Sequence, residues 1–244
     1  MTGAAGYVGR HLRPLLPSEL HVTATDLSAN EAAGIVALDV TRPSEVADLA
    51  AGHDAIIHLA IAGGFEGTYE SDSLNAERFR VNVWGTRNVF EAAAVAGVPR
   101  VVFTSSIMVV WGYGDGELVP RDAPPRPVGC YALTKLLGEE IAREFARSRG
   151  VSSAILRIAK PIDPRDPRRS GRPIRPQWIT FAELADVYAR ACRVPLDGSQ
   201  VFHVVGESSR RRWELEAARD ILGYVPGTRL EDLGFTLDEG AALD

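Results

Sequence analysis

The stretch MTGAAGYVGRHL (residues 1–12) places Gly3, Gly6 and Gly9 three apart, ahead of a helix-like run. Glycine lets a backbone turn tightly and approach a pyrophosphate closely, and the helix that follows aims free N–H groups at negative charge. Such a loop normally follows a β-strand. Here only Met1 and Thr2 precede it. The next strand-like run, HVTATDL (21–27), ends in Asp26 and Leu27. An acid about 20 residues past the glycines can accept hydrogen bonds from the adenosine ribose hydroxyls. It would also repel a 2′-phosphate, so the pattern favours NAD over NADP.

Further along the chain, short β-rich runs alternate with helical ones. GIVALDV (34–40), HDAIIHLA (53–60), RVVFTSS (100–106), SSAILRIA (152–159) and QVFHVVG (200–206) read as strands. Several are apolar without alternation, as in parallel strands covered on both faces. Helices are expected near 44–51, 73–96, 131–149 and 180–193, the last opening on a capping box at Thr180 and Glu183. This order implies right-handed βαβ crossovers and an α/β, doubly wound parallel sheet. The Pro- and Arg-rich stretch 161–177 can continue neither helix nor strand, so a long loop is expected there.

A length of 244 residues, 45% of them hydrophobic, suits one large α/β domain with a substantial core. The net charge of −5 and the lack of a basic block argue against nucleic acid as a partner. No spanning run or signal segment is visible, so a cytoplasmic protein away from membranes is the default. Cys130 and Cys192 suggest neither a disulfide framework nor a metal site. Cys130 reads as a small packing residue, and His58 as part of a strand end.

Tyr131 and Lys135 lie four apart, on one face of a helix. A free phenol titrates near ~10 and is a poor base at neutral pH. A nearby ammonium and an oxidised nicotinamide both favour phenolate, which could take a proton from a substrate alcohol. Upstream, a strand ends in Ser105-Ser106. A serine at that edge, where ligands bind in open sheets, could share a proton with the tyrosine.

In this order the motifs resemble the extended short-chain dehydrogenase/reductases, the NAD-dependent epimerase/dehydratase family, over nearly the whole chain. GAAGYVG is similar to the family's glycine loop, with Gly3, Gly6, Tyr7, Val8 and Gly9. ALDVT offers Asp39 and Val40 for adenine contact. HLAIA puts Leu59, Ala60 and Ile61 under the cofactor, and NVWGTRNV supplies Asn82, which steadies the active-site backbone. The resemblance implies Ser106, Tyr131 and Lys135 as the catalytic set, with Ser105 an alternative on spacing. Lys135 would also bind the cofactor ribose.

The layout is nearest to uronate dehydrogenases, which oxidise the anomeric carbon of a hexuronic acid with NAD. An NAD-binding region over 1–160 and a small cap over 161–244, interleaved with the last strand, are then expected. Arg172 and Arg175, before Trp178, are the arginines expected to hold a substrate carboxylate. Ile107 stands where those enzymes have a substrate-contacting asparagine. Alternatives are a sugar-nucleotide epimerase or dehydratase, and a non-catalytic NAD-binding regulator. A homodimer through helices 73–96 and 131–149 is the family expectation.

The resemblance also puts a strand ahead of the glycine loop, ending near LVTG where this chain has MTG. The expectation is that the natural chain starts several residues upstream. Strands are ~4.8 Å apart, so omitting a central one would leave a gap of about 10 Å. Each unpaired backbone group at its edges would cost on the order of 1–3 kcal/mol if buried.

Overall fold

The computed structural model describes residues 1–63, 68–114 and 116–238, so the end of the 161–244 region lies outside the described residues. Six runs read as strands all form, though most are shorter than expected. They are β1 (Ala24–Asp26), β2 (Ile35–Ala37), β3 (Ile56–His58), β4 (Arg100–Ser106), β5 (Ser152–Ile158) and β8 (Ser199–Val204), with a minor parallel pair, β6 (Pro161–Ile162) and β7 (Ile179–Thr180). The main pairings are parallel, in the order β3-β4-β5-β8 with β1-β2 alongside.

Met1 and Thr2 join these two parts. Thr2 bridges both Thr25 and His58 in parallel fashion. Its N–H donates to Ile57 O (3.0 Å), its carbonyl accepts from Leu59 N (3.2 Å), and Met1 O accepts from Thr25 N (2.8 Å). Met1 and Thr2 thus act as a very short central strand at the C-terminal end of the sheet. Below them a cleft of about 40 Å³ is lined by Thr23, Thr25, Ala55 and Ile56.

Helices cover both faces. On one, α2 (Pro43–Ala50), α4 (Thr86–Ala96) and α5 (Gly129–Arg149) share a core with Val101, Phe103 and Ile155. On the other, α6 (Phe181–Arg193) buries Phe181, Leu184, Ala185 and Tyr188, spaced at helical intervals, against Val102, Leu156 and Phe202. The expected capping box at Thr180 and Glu183 is present. α1 (Tyr7–Leu12) and α7 (Glu216–Asp220) are short.

The helix expected over 73–96 is not uniform. It runs as α3 (Asp72–Arg78), a π-helical turn (Phe79–Gly85), then α4. Buried Asn82 lies in the π turn, the kind of helix irregularity that concentrates at functional positions.

Candidate active site

Gly3 has φ +72° and packs so closely that an added Cβ would lie 2.6 Å from Ala60 N. The loop thus needs glycine for both conformation and space. The carboxylate of Asp26, at the end of β1, accepts from Ala5 N (2.8 Å) and Leu27 N (2.8 Å). Gly3, Gly6, Asp26, Leu27, Asp39, Val40, Leu59, Ala60 and Ile61 all line one cleft of about 350 Å³. The structure therefore brings together nine of the expected residues from four segments of the chain. Tyr7, Val8 and Gly9 play other parts: the Tyr7 hydroxyl donates to Pro161 O (3.0 Å), Val8 packs on the core, and Gly9 is buried.

A hydrogen-bond chain supports this cleft from below. Thr2 Oγ1 meets His58 Nδ1 at 2.7 Å, and His58 Nε2 meets Thr86 Oγ1 at 3.0 Å. The Thr86 hydroxyl donates to Asn82 O (2.5 Å), so it must accept from His58 Nε2–H. Nδ1 is then the acceptor for the Thr2 hydroxyl. Burial, and secondarily Lys135, push His58 down to about 3, consistent with a neutral ring. Asn82 continues the chain: Oδ1 accepts from Ala62 N (2.8 Å), and Nδ2 donates to Thr134 Oγ1 (3.0 Å), which donates to Tyr131 O (2.8 Å).

Tyr131 and Lys135 share one face of α5. Gly138, three residues on, lets this helix lie directly against the Phe103 ring of β4. Lys135 is buried; its Nζ donates to Thr104 O (2.7 Å) and lies 5.8 Å from the Tyr131 ring centroid. Burial pushes its ammonium down to about 7. Burial also raises the Tyr131 hydroxyl well above the usual phenol range, while Ser106 and Arg78 oppose the rise. Desolvation therefore outweighs Arg78 beside the tyrosine, contrary to what the Tyr-Lys spacing alone would suggest.

Strand alternation separates the two serines. Thr104 Oγ1 pairs with Tyr188 Oη (2.6 Å) on the α6 side. Ser105 Oγ donates to Glu139 Oε1 (2.6 Å) on α5. Ser106 Oγ, at the strand end, accepts from Met108 N (3.2 Å), and Ser106 is the serine that counters the rise in the Tyr131 hydroxyl. Of the two, then, Ser106 faces the tyrosine. The Glu139 pairing escaped sequence reading, although Glu139 continues the Tyr131–Lys135 face by another four residues. It is fully buried and held by Arg157 through two 2.8 Å contacts, to Oε1 and Oε2.

Two expected substrate residues move apart, and a third is covered. Arg175 stacks over the Trp111 ring (5.2 Å), while Arg172 lines a separate surface cleft with Leu233 and Phe235. Ile107 is buried among Val110, Val119 and Trp213. Arg78, which sequence reading passed over, is buried beside the site, 4.1 Å over the Tyr69 ring and 6.0 Å from the Tyr131 ring. Among the described residues no cluster could hold a metal ion, and no helix is long and apolar enough to cross a membrane.

A dinucleotide-type cleft beside a Ser-Tyr-Lys constellation on a parallel sheet defines a short-chain dehydrogenase-type enzyme. The chain belongs to the NAD-dependent epimerase/dehydratase family, whose model matches residues 1–209. It is 28% identical to the L-arabinose 1-dehydrogenase (NAD(P)(+)) of Haloferax volcanii, over 93% of this chain and 94% of that one. It is 29% identical to the uronate dehydrogenase of Pseudomonas syringae pv. tomato, over 93% of this chain and 80% of that one. Among solved structures, a uronate dehydrogenase variant from Agrobacterium tumefaciens complexed with NAD is similar, with TM-score 0.81 and 27% identity, covering 96% of this chain and 85% of that one.

Proposed function

We propose that the protein is an NAD-dependent dehydrogenase that oxidises a sugar or sugar acid, as its relatives named for L-arabinose and uronate do. The observation that carries this reading is buried Lys135, one helical turn from Tyr131 on α5, with its Nζ 5.8 Å from the Tyr131 ring centroid. The glycine cradle, Asp26 and the cleft floor at Leu59–Ile61 fit a dinucleotide, with Asp26 facing the adenosine ribose hydroxyls. Bound there, NAD supplies the hydride acceptor.

The chain's own groups manage the proton and the orientation. Ser106 Oγ holds the substrate hydroxyl beside Tyr131. Tyr131 Oη takes that hydroxyl's proton as general base, a contribution of about 10²–10⁴ in rate. Lys135 binds the ribose and supplies positive charge near the phenolate, its Nζ held in place by Thr104 O. Residues 1–160 carry the cofactor and the base, and 161–244 the substrate cap. A homodimer through α3–α4 and α5 is supported by the large apolar side chains these helices expose, Phe79, Trp84 and Leu133.

The test is NADH formation from NAD with L-arabinose, glucuronate and galacturonate. Turnover that Tyr131→Phe reduces by about 10² or more supports the reading. Turnover unaffected by Tyr131→Phe, or none with any aldose or uronate although NAD binds, would overturn it.

A further inference from the structure

The start of α5, just ahead of Tyr131, is held by another segment of the chain. Val128, which precedes the helix, offers no side-chain cap, and the first turn holds no acid. Glu70, from the stretch before α3, supplies one: its Oε2 accepts from Cys130 N (3.3 Å). Gly129 has φ +83°, and a Cβ there would lie 2.8 Å from Glu70 Oε1, so this approach needs glycine. Arg78 in turn holds the acid. Its Nη1 donates to Glu70 Oε1 (3.4 Å) and to Asn75 Oδ1 (2.8 Å), while Asn75 Nδ2 donates to Glu70 O (3.2 Å). The guanidinium carbon lies 4.1 Å from the Tyr69 ring centroid and 6.0 Å from that of Tyr131. We infer that Arg78 is a positioning residue for the general base: through Glu70 it fixes the turn that carries Tyr131, and it lays a lasting positive charge beside that ring. This rests on the dehydrogenase reading above and adds a residue to its mechanism.

The charge matters as well as the packing. The Arg78–Glu70 pair is unequally solvated, with side-chain exposures of 3% and 47%. Water screens the carboxylate more than the guanidinium, so the inner side of the pair stays positive toward Tyr131. The other groups around the tyrosine supply little charge. Burial raises the Tyr69 phenol and the Cys130 thiol, and lifts the Tyr188 phenol on α6 well above its usual range, so all three are uncharged near neutral pH. His58, beyond Lys135, is neutral too. Lys135, on the tyrosine's own helix, is pushed down by burial to about 7, so near neutrality it is only partly charged. A guanidinium does not titrate in that range. Arg78 therefore works toward phenolate, against the desolvation that raises the Tyr131 hydroxyl.

The test takes two readouts across pH on the intact protein with NAD. In one, kcat/KM is measured with the sugar that the protein oxidises best. In the other, phenolate formation is followed by ultraviolet absorption, with the Tyr131→Phe signal subtracted. Arg78→Met should move the acid limb and the Tyr131 titration up by about one unit, a loss of about tenfold in kcat/KM below the limb, with the plateau above it kept. Arg78→Lys should restore both. Glu70→Gln, which removes the opposing charge and keeps an acceptor for Cys130 N, should move neither upward. Should Arg78→Met fold poorly, Arg78→Gln, which can still donate to Asn75, is read in the same way. A uniform loss of kcat/KM at every pH with the limb and the titration in place, or the same upward shift in Arg78→Lys, would overturn the proposal. If the ultraviolet titration shifts as described but no sugar is oxidised, the dehydrogenase reading fails while the action of Arg78 on Tyr131 stands.

Discussion

At the scale of residues, two adjacent serines have different fates, and substitution should separate them. Ser106 counters the rise in the Tyr131 hydroxyl, so Ser106→Ala should cut kcat by about 10-fold or more while leaving the fold intact. Ser105 donates to a carboxylate that keeps both Arg157 contacts, so Ser105→Ala should cost only about 1 kcal/mol of stability and spare kcat. Steady-state kinetics with thermal melts would expose the reverse pattern if the roles were exchanged. Glu139→Ala is more severe: it strands the buried Arg157 charge at a cost of about 3–5 kcal/mol. His58 gives a pH signature. Its folded pKa of about 3 lies below the ordinary value of 6.5, so between those limits the unfolded chain binds a proton that the folded chain refuses. Stability should therefore fall as pH drops from 6.5 toward 3. His203, also pushed down to about 3 by burial, adds to the same slope. His58→Gln should flatten the melting-temperature profile in that window, and a profile as steep as the parent's would rule out the neutral, doubly bonded ring. Tyr131, Lys135 and Asp26 were legible because spacing alone expresses their geometry. Glu139 was not, because its partners Ser105 and Arg157 lie far away in sequence.

Among the elements, α6 was the most readable. Its stripe of apolar residues and its capping box are both local patterns, and both form as expected. What the pattern hid is that Glu183 works at two places. Its Oε2 accepts from Thr180, while its Oε1 accepts from Gly227 N (2.8 Å) and Thr228 N (2.9 Å) in the C-terminal loop. Thr180→Ala should cost about 1 kcal/mol, the usual loss of a cap. Glu183→Ala should cost clearly more, because it also frees two loop N–H groups. Equal melting temperatures for the two variants would count against the second clamp. The π turn between α3 and α4 was not legible, because its sequence, FRVNVWG, reads as ordinary helix. Its bonds to the rest of the fold are tertiary: Asn82 reaches Ala62 N and Thr134, and Thr86 reaches His58, on neighbouring segments.

For the whole molecule, the sheet is uneven in strength. From β3 to β8 it is backed by two large cores, whereas β1 and β2 join it through Met1 and Thr2 and share a small cluster of Ala4, Ala24 and Ile35. Local opening is easiest where few apolar contacts cover the backbone. Amide exchange should therefore be faster in Ala24–Asp26 and Ile35–Ala37 than in Val101–Ser106 or Ala154–Ile158. The cleft residues Asp26, Leu27, Asp39 and Val40 belong to this weaker part, while Leu59–Ile61 belong to the stronger one. A dinucleotide lying between them would bridge the two parts. NAD at about 100 times its dissociation constant should stabilise the fold by about 2.7 kcal/mol. The slowing of exchange should be greatest in β1 and β2, and Asp26→Ala should diminish it. Uniform slowing across all strands would mean that the cofactor stabilises the molecule as a single unit, and that the two parts already open together.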